Sequence, residues 1–244
     1  MSADGLDSRM NLAIIGYGKM GRLIEQLAPE YGFNVVLKLD EKENPGGSGI
    51  SKETLRGVDV AIEFSVPGAV VANIEALSRA GVPVVVGTTG WHEQIPHVRE
   101  LVERNGSALV WSPNYSVGMN VFFRLVSEAA RLLSKEPEYG AWGWEIHHVT
   151  KKDSPSGTMV KLVEEMRRAG YESAVDVAAN RAGAHPGTHE IGFDSAADTI
   201  TLRHSARSRE GFARGALKAA RWIVGKKGFY EFSEILFGPN GMKG

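Results

Sequence analysis

The chain has 244 residues, enough to bury a sizeable core as one large domain or two modest ones. Its 43% hydrophobic and 23% charged residues are ordinary for a globular protein, and a net charge of -1 leaves no basic surplus for a nucleic-acid backbone. With Cys at 0 there is no disulfide, thiolate nucleophile or cysteine-held metal, and no apolar run approaches the roughly 20 residues of a membrane helix. A soluble cytoplasmic protein with no nucleic-acid or membrane partner is expected.

Residues 1–9 are polar, lack an apolar signal core, and read as a loose tail. From Asn11 onward, short apolar runs alternate with helical periodicity, as parallel strands covered by crossover helices do. The runs at 12–15, 34–39, 58–64, 82–86 and 108–111 predict five such strands. Met20, Leu23, Ile24 and Leu27 recur at helical spacing and Gly32 stops that helix; Val70, Ile74 and Leu77 mark a second, closed by Gly81. The glycine-rich segment 41–52 reads as a loop.

After Asn114 the character changes. A long helix over roughly 119–134 precedes 142–148, which alternates aromatic and polar residues as a half-exposed strand does. A helix with Met159, Leu162, Val163 and Met166 on one face ends at Gly170; strands 188–193 and 199–204 flank a polar turn. The last helix, 212–224, carries Ala216, Ala219 and Ala220 for close packing and returns to the first domain. The expected fold is α/β: a Rossmann-like, doubly wound parallel sheet over 1–117 and 209–244, plus an α+β domain with a mixed sheet over 118–208.

Gly16-Tyr17-Gly18-Lys19-Met20-Gly21 places GxGxxG between a strand and a helix, the setting of a dinucleotide turn. The first glycine permits the turn, the second lets backbone approach a pyrophosphate, and the third packs helix on strand. Asp40 follows about 20 residues later, where a carboxylate accepts ribose hydroxyls and repels a 2'-phosphate. NADH is therefore expected, although Lys42 is placed to offset the repulsion and admit NADPH. Phe64-Ser65-Val66-Pro67, Gly87-Thr88-Thr89-Gly90 and Ser112-Pro113-Asn114 offer backbone and hydroxyl groups for the nicotinamide and its ribose, and each also reads as plain turn chemistry.

The densest chemistry runs from Glu145 to Thr158. Ser154 or a neighbour caps the next helix, with Pro155 suited to its first turn, and Ser156, Gly157 and Thr158 present amides and hydroxyls to a carboxylate. Lys151 is placed to pair with that anion or deliver a proton. His147 and His148 point to opposite faces if the strand continues through them. Zinc is disfavoured, because the paired histidines lack a third ligand at customary spacing; no metal is expected.

These residues carry a resemblance. The run His147-His148 with Lys151, Asp153 and Pro155-Ser156-Gly157-Thr158 is similar to the HHxxKxDxPSGT signature of the 4-hydroxy-tetrahydrodipicolinate (dihydrodipicolinate) reductase family. Gly87-Thr88-Thr89-Gly90, Asn114-Tyr115-Ser116-Val117-Gly118-Met119-Asn120 and Ser208-Arg209 support it, and it extends over 11–237. The resemblance implies NAD(P)H-dependent reduction of a cyclic, dicarboxylated imine in lysine and diaminopimelate biosynthesis, by a homotetramer built through the sheet of the second domain. It implies His147 and Lys151 as the catalytic pair, with Lys151 as proton donor, and His148, Ser156, Gly157, Thr158 and Arg209 as carboxylate ligands. The chain departs from the family in its shorter glycine turn and in Thr188, where glutamate is common. A related amino-acid dehydrogenase and a non-catalytic dinucleotide sensor are the alternatives; the intact His147, Lys151 and Pro155-Ser156-Gly157-Thr158 argue against the sensor.

Overall fold

The computed structural model describes residues 9–239 and 242. The expected loose tail, except for Arg9, lies outside them. The chain divides into two compact units, Met1–Ser116 with Phe212–Gly244, and Val117–Gly211.

The first unit is a six-stranded parallel sheet of β1 (Met10–Ile15), β2 (Phe33–Leu39), β3 (Val60–Glu63), β4 (Val84–Val86), β5 (Ala108–Trp111) and β10 (Gly228–Glu231), numbered along the whole chain. Their order is β10-β5-β4-β3-β1-β2, so the winding reverses between β1 and β3, the place where such sheets bind ligands. The central strands are apolar on both faces because helices cover both. Ile14, Ile62 and Val85 are fully buried, each worth about 1.5–3 kcal/mol by area removed from water.

The helices of this unit are α1 (Lys19–Leu27), α2 (Val70–Ala80), α3 (Ile95–Arg104), α6 (Glu210–Ile223) and α7 (Phe232–Phe237). Gly81 caps α2 in the left-handed region, its amide bonding the Leu77 and Ser78 carbonyls. Helix α1 stops earlier than expected, at Leu27, because Pro29 lies in a 3-10 turn over Ala28–Tyr31 that Gly32 then closes. Ala216, Ala219 and Ala220 of α6 are fully buried. The loop expected at 41–52 contains one further 3-10 turn, Pro45–Gly47.

The second unit holds a four-stranded mixed sheet ordered β7-β6-β8-β9, made of β6 (Gly140–His147), β7 (Val175–Arg181), β8 (Thr188–Asp194) and β9 (Thr199–Ser205). β6 runs parallel to β7 and antiparallel to β8, which is antiparallel to β9. Helices α4 (Val117–Leu133) and α5 (Gly157–Arg168) belong to this unit. Met119, Phe122 and Val126 of α4 and Met159, Leu162 and Met166 of α5 share one core with Ala141, Ile191 and Phe193 of the sheet. Among the described residues no helix is long and apolar enough to cross a membrane.

Candidate active site

In the first unit the three glycines of the turn do different things. Gly16 has φ +90°, and a Cβ there would lie 2.2 Å from the Phe64 carbonyl oxygen, so only glycine fits. A Cβ on Gly21 would meet the Gly16 oxygen at 2.3 Å, which fixes how closely α1 packs on β1. At Gly18 nothing lies within 4 Å, so the backbone there is open to an approaching anion at the start of α1.

Two cavities adjoin this turn. One, of about 490 Å³, is lined by Gly16, Gly18, Asp40, Phe64 and Ser65; the other, of about 430 Å³, by Gly18, Lys19, Met20, Gly87, Thr88 and Thr89 among others. Asp40 is exposed at the end of β2 and accepts the Tyr17 amide at 3.3 Å, an anchor that leaves the rest of the carboxylate to a ligand. The Tyr17 side chain is engaged elsewhere: its hydroxyl donates to Glu25, and Lys38, ion-paired to Glu25 at 2.9 Å, sits over its ring. Ser112, Pro113 and Asn114 line neither cavity and close on themselves, Ser112 Oγ donating to the Asn114 carbonyl at 2.8 Å.

Under these loops lies Glu63, a fully buried residue that sequence reasoning missed. Its Oε1 accepts from the Ser65 hydroxyl and from Asn73 at 3.2 Å, Oε2 has no partner, and burial pushes its carboxyl above the ordinary glutamate value. The Ser65 amide donates to Thr88 Oγ1 at 2.8 Å, so Glu63, Ser65, Asn73 and Thr88 brace the two loops together. The available signal was a carboxylate ending an otherwise apolar buried strand.

In the second unit the strand-to-helix connection after β6 folds into a tight turn. Lys151 Nζ lies 2.8 and 3.0 Å from the two oxygens of Asp153, and Asp153 Oδ2 also accepts the Gly157 amide at 3.2 Å. The lysine hydrogen bond holds the Asp153 carboxyl below the ordinary aspartate range. The turn therefore has a cation and a helix-terminal amide converging on one carboxylate. Thr158 is half-buried and Gly157 exposed at the start of α5, and Arg209 is exposed just before α6.

Ser156 is the N-cap of α5, its Oγ accepting the Met159 amide at 3.2 Å. Pro155 consequently stands outside the helix, before the cap, and not in the first turn as expected. Ser156 is also turned inward, 1% exposed. Its hydroxyl donates to Glu145, and its amide gives Glu145 Oε1 a second bond at 2.9 Å.

His147 and His148 separate as the strand alternation implies. His147 ends β6 on the buried face with Ala141, Gly143 and Glu145; its ring stands edge-on to His189, centroids 4.9 Å apart, and its Nδ1 lies 3.8 Å from Glu145 Oε2 without a hydrogen bond. Burial, ahead of the nearby charges, lowers its pKa. His148 lies beyond the strand end, half-buried, with Nδ1 2.7 Å from Thr150 Oγ1.

Glu145, His147 and His189 place three ligand-type atoms within 4.8 Å of one another. The donor set does not suit a metal ion. Glu145 Oε2 takes the Ser156 hydroxyl, and Arg181 Nη2, 3.0 Å from Oε1, adds a positive charge beside the site.

Residues 10–115 match the family model described as dihydrodipicolinate reductase, N-terminus, and residues 118–236 that described as dihydrodipicolinate reductase, C-terminus. The chain is 36% identical over 239 residues to a 4-hydroxy-tetrahydrodipicolinate reductase of Christiangramia forsetii, covering 93% of this chain and 98% of that one. It is 35% identical to the protein of the same name from Archaeoglobus fulgidus, covering 93% and 100%. A dipicolinate-bound dihydrodipicolinate reductase from Paenisporosarcina sp. TG-14 superposes with a TM-score of 0.77 at 22% identity, covering 93% of this chain and 100% of that one. An amine dehydrogenase from Mycobacterium smegmatis shares the fold at a TM-score of 0.63 and 9% identity, covering 92% and 95%.

Proposed function

The chain belongs to the dihydrodipicolinate reductase family, and from that premise we propose how its own residues carry out the reduction. The enzyme is an NAD(P)H-dependent 4-hydroxy-tetrahydrodipicolinate reductase of lysine biosynthesis. The single observation that carries the site assignment is the turn in which Lys151 Nζ and the Gly157 amide hold one carboxylate, that of Asp153. A substrate with two ring carboxylates needs such a cradle.

Bound in the first unit, a reduced nicotinamide would supply a hydride to a ring carbon of the conjugated cyclic imine that remains when the hydroxy precursor loses water. The glycine turn offers the open backbone of Gly18 and the amides of α1 to the pyrophosphate, while exposed Thr89 offers its hydroxyl to the nicotinamide end, on loops that Ser65 and Thr88 brace from below. Asp40 receives the adenosine ribose hydroxyls. Lys38 is already tied to Glu25, and the Asp40 carboxylate repels a 2'-phosphate, a repulsion Lys42 offsets only in part, so NADH is the preferred reductant.

Hydride addition leaves an electron-rich enamine, which takes up one proton. Lys151 delivers it: 24% of its side chain is exposed, and Asp153 steers its ammonium. His148, Gly157, Thr158 and Arg209 bind the substrate carboxylates. Ser156 contributes as the cap that orients the turn, and the neutral His147 forms its buried wall.

Two substitutions test these assignments. Lys151→Ala is expected to lower kcat at least tenfold, the scale of general acid catalysis, and unchanged kcat would remove Lys151 from the reaction. Asp40→Ala is expected to weaken NADH binding and shift preference toward NADPH; an unaltered ratio of the two kcat/KM values would contradict a ribose contact. Assembly as a homotetramer uses the half-exposed sheet face carrying Trp142, Trp144 and Ile146. A monomeric sedimentation profile at micromolar concentration would overturn that. The protein works in the cytoplasm.

A further inference from the structure

At the end of the second sheet, polar side chains occupy inward positions that elsewhere hold the core. Glu145 of β6 is paired in register with His189 of β8, and His189 with His204 of β9; one step on, His147 is paired with Arg181 of β7. Glu145 is fully buried, so each of its carboxylate oxygens needs a donor. Oε1 accepts from the Ser156 amide at 2.9 Å and Arg181 Nη2 at 3.0 Å, and Oε2 from the Ser156 hydroxyl. Arg181 Nη2 also donates to the Asp153 carbonyl. Carboxylate and guanidinium thus grip the segment 153–156 at both ends.

The hydrogen count fixes the histidine. Ser156 Oγ has one hydrogen, given to Glu145, so its lone pairs accept from the Met159 amide at 3.2 Å and from His189 Nε2, 3.1 Å away. His189 is therefore the neutral Nε2–H tautomer, and its buried Nδ1 has no partner.

Resting on the assignment of the 151–158 turn to substrate carboxylate binding, we propose that Glu145 is a positioning residue of the reduction. It acts through Ser156, with Arg181 holding its charge and His189 completing the Ser156 bonds, and it sets where Lys151 and the first amides of α5 stand. Glu145 touches no substrate.

Glu145→Gln makes this testable, because the side chain keeps its shape. Its carbonyl must face the Ser156 amide and Arg181, so its NH2 faces Ser156 Oγ. The serine hydrogen then turns to His189 Nε2, and the ring must become the Nδ1–H tautomer. In the full-length enzyme the expected results are a KM for the imine raised at least tenfold, a similar weakening of dipicolinate as a planar dicarboxylate probe, and a KM for NADH within twofold of wild type. The 15N spectrum of the imidazoles is expected to show the His189 tautomer switch. In a double-mutant cycle with Ser156→Ala, the two losses are expected to be far from additive.

An imine KM within twofold of wild type, an Nε2–H His189 in Glu145→Gln, or additive losses would each overturn the proposal. If Glu145→Gln does not fold, as read by its circular dichroism and thermal unfolding, Ser156→Ala takes its place, with the same selective rise in imine KM expected and its absence contradictory. Lys151→Ala, measured alongside, separates the two readings: full turnover there removes the site assignment itself, whereas lost turnover there with an unmoved KM in Glu145→Gln removes only the role of Glu145.

Discussion

His189 gives its one ring hydrogen to Ser156, and burial holds the ring neutral down to about pH 4. In the unfolded chain the same ring takes up its proton near pH 6.5. Between those values the unfolded state binds one more proton than the native state, so the stabilisation is complete above pH 6.5 and falls as pH drops toward 4. For a pKa lowered from 6.5 to about 4 the loss amounts to about 3 kcal/mol. His147, whose pKa is lowered chiefly by burial, acts in the same direction. Urea unfolding at pH 7 and at pH 4.5 is expected to show that His189→Gln, which keeps an amide donor, loses about 2 kcal/mol less on acidification than wild type. Equal losses in the two proteins would contradict a neutral buried His189. The strand alternation already put His147 on one face and left His148 for the other. It also put Glu145 in phase with Ala141 and Gly143, and a carboxylate on the buried face was the legible sign of the network that the histidine pair drew attention away from.

At the scale of elements, the glycine turn separates fold from ligand within six residues. Gly16→Ala forces a Cβ onto the Phe64 carbonyl at φ +90°, and is expected to cost at least about 2 kcal/mol of stability. Gly18→Ala meets nothing within 4 Å, so its stability is expected to stay within about 1 kcal/mol of wild type while NADH binding weakens at least tenfold. Unchanged NADH affinity in Gly18→Ala would show that the pyrophosphate does not approach that backbone. This turn was legible because strand, glycines and helix are contiguous. β7 was not: Val175 and Val177 are its only large apolar residues, and it exists by parallel pairing with β6, whose partner residues (Ala141 for Val175, His147 for Arg181) lie far upstream in sequence. Helix α3 begins at Ile95 with Pro96 in its first turn, a legitimate start that reads like a breaker when the helix is only ten residues long. β10 and α7 are four and six residues long, too short for periodicity to declare.

Over the whole molecule, the chemistry is divided between the two units. The first carries the winding reversal, the open glycine and the exposed Asp40 carboxylate proposed for the ribose; the second carries the lysine, the capped helix and the buried Glu145 proposed to brace them. Neither half alone specifies a reaction: the glycine turn implies only a dinucleotide, and the acid turn only a carboxylate ligand with a proton source. Their combination along one chain, matched by family models over 10–115 and 118–236, makes the reductase. The direct measurement is a coupled assay in which pyruvate and aspartate semialdehyde are condensed by the synthase that makes the hydroxy precursor, with absorbance at the nicotinamide band followed for NADH and NADPH separately. Synthase-dependent oxidation of NADH, faster than that of NADPH and abolished to within a tenth by Lys151→Ala, is the expected result. No synthase-dependent oxidation of either dinucleotide would contradict the assignment of this chain as the reductase.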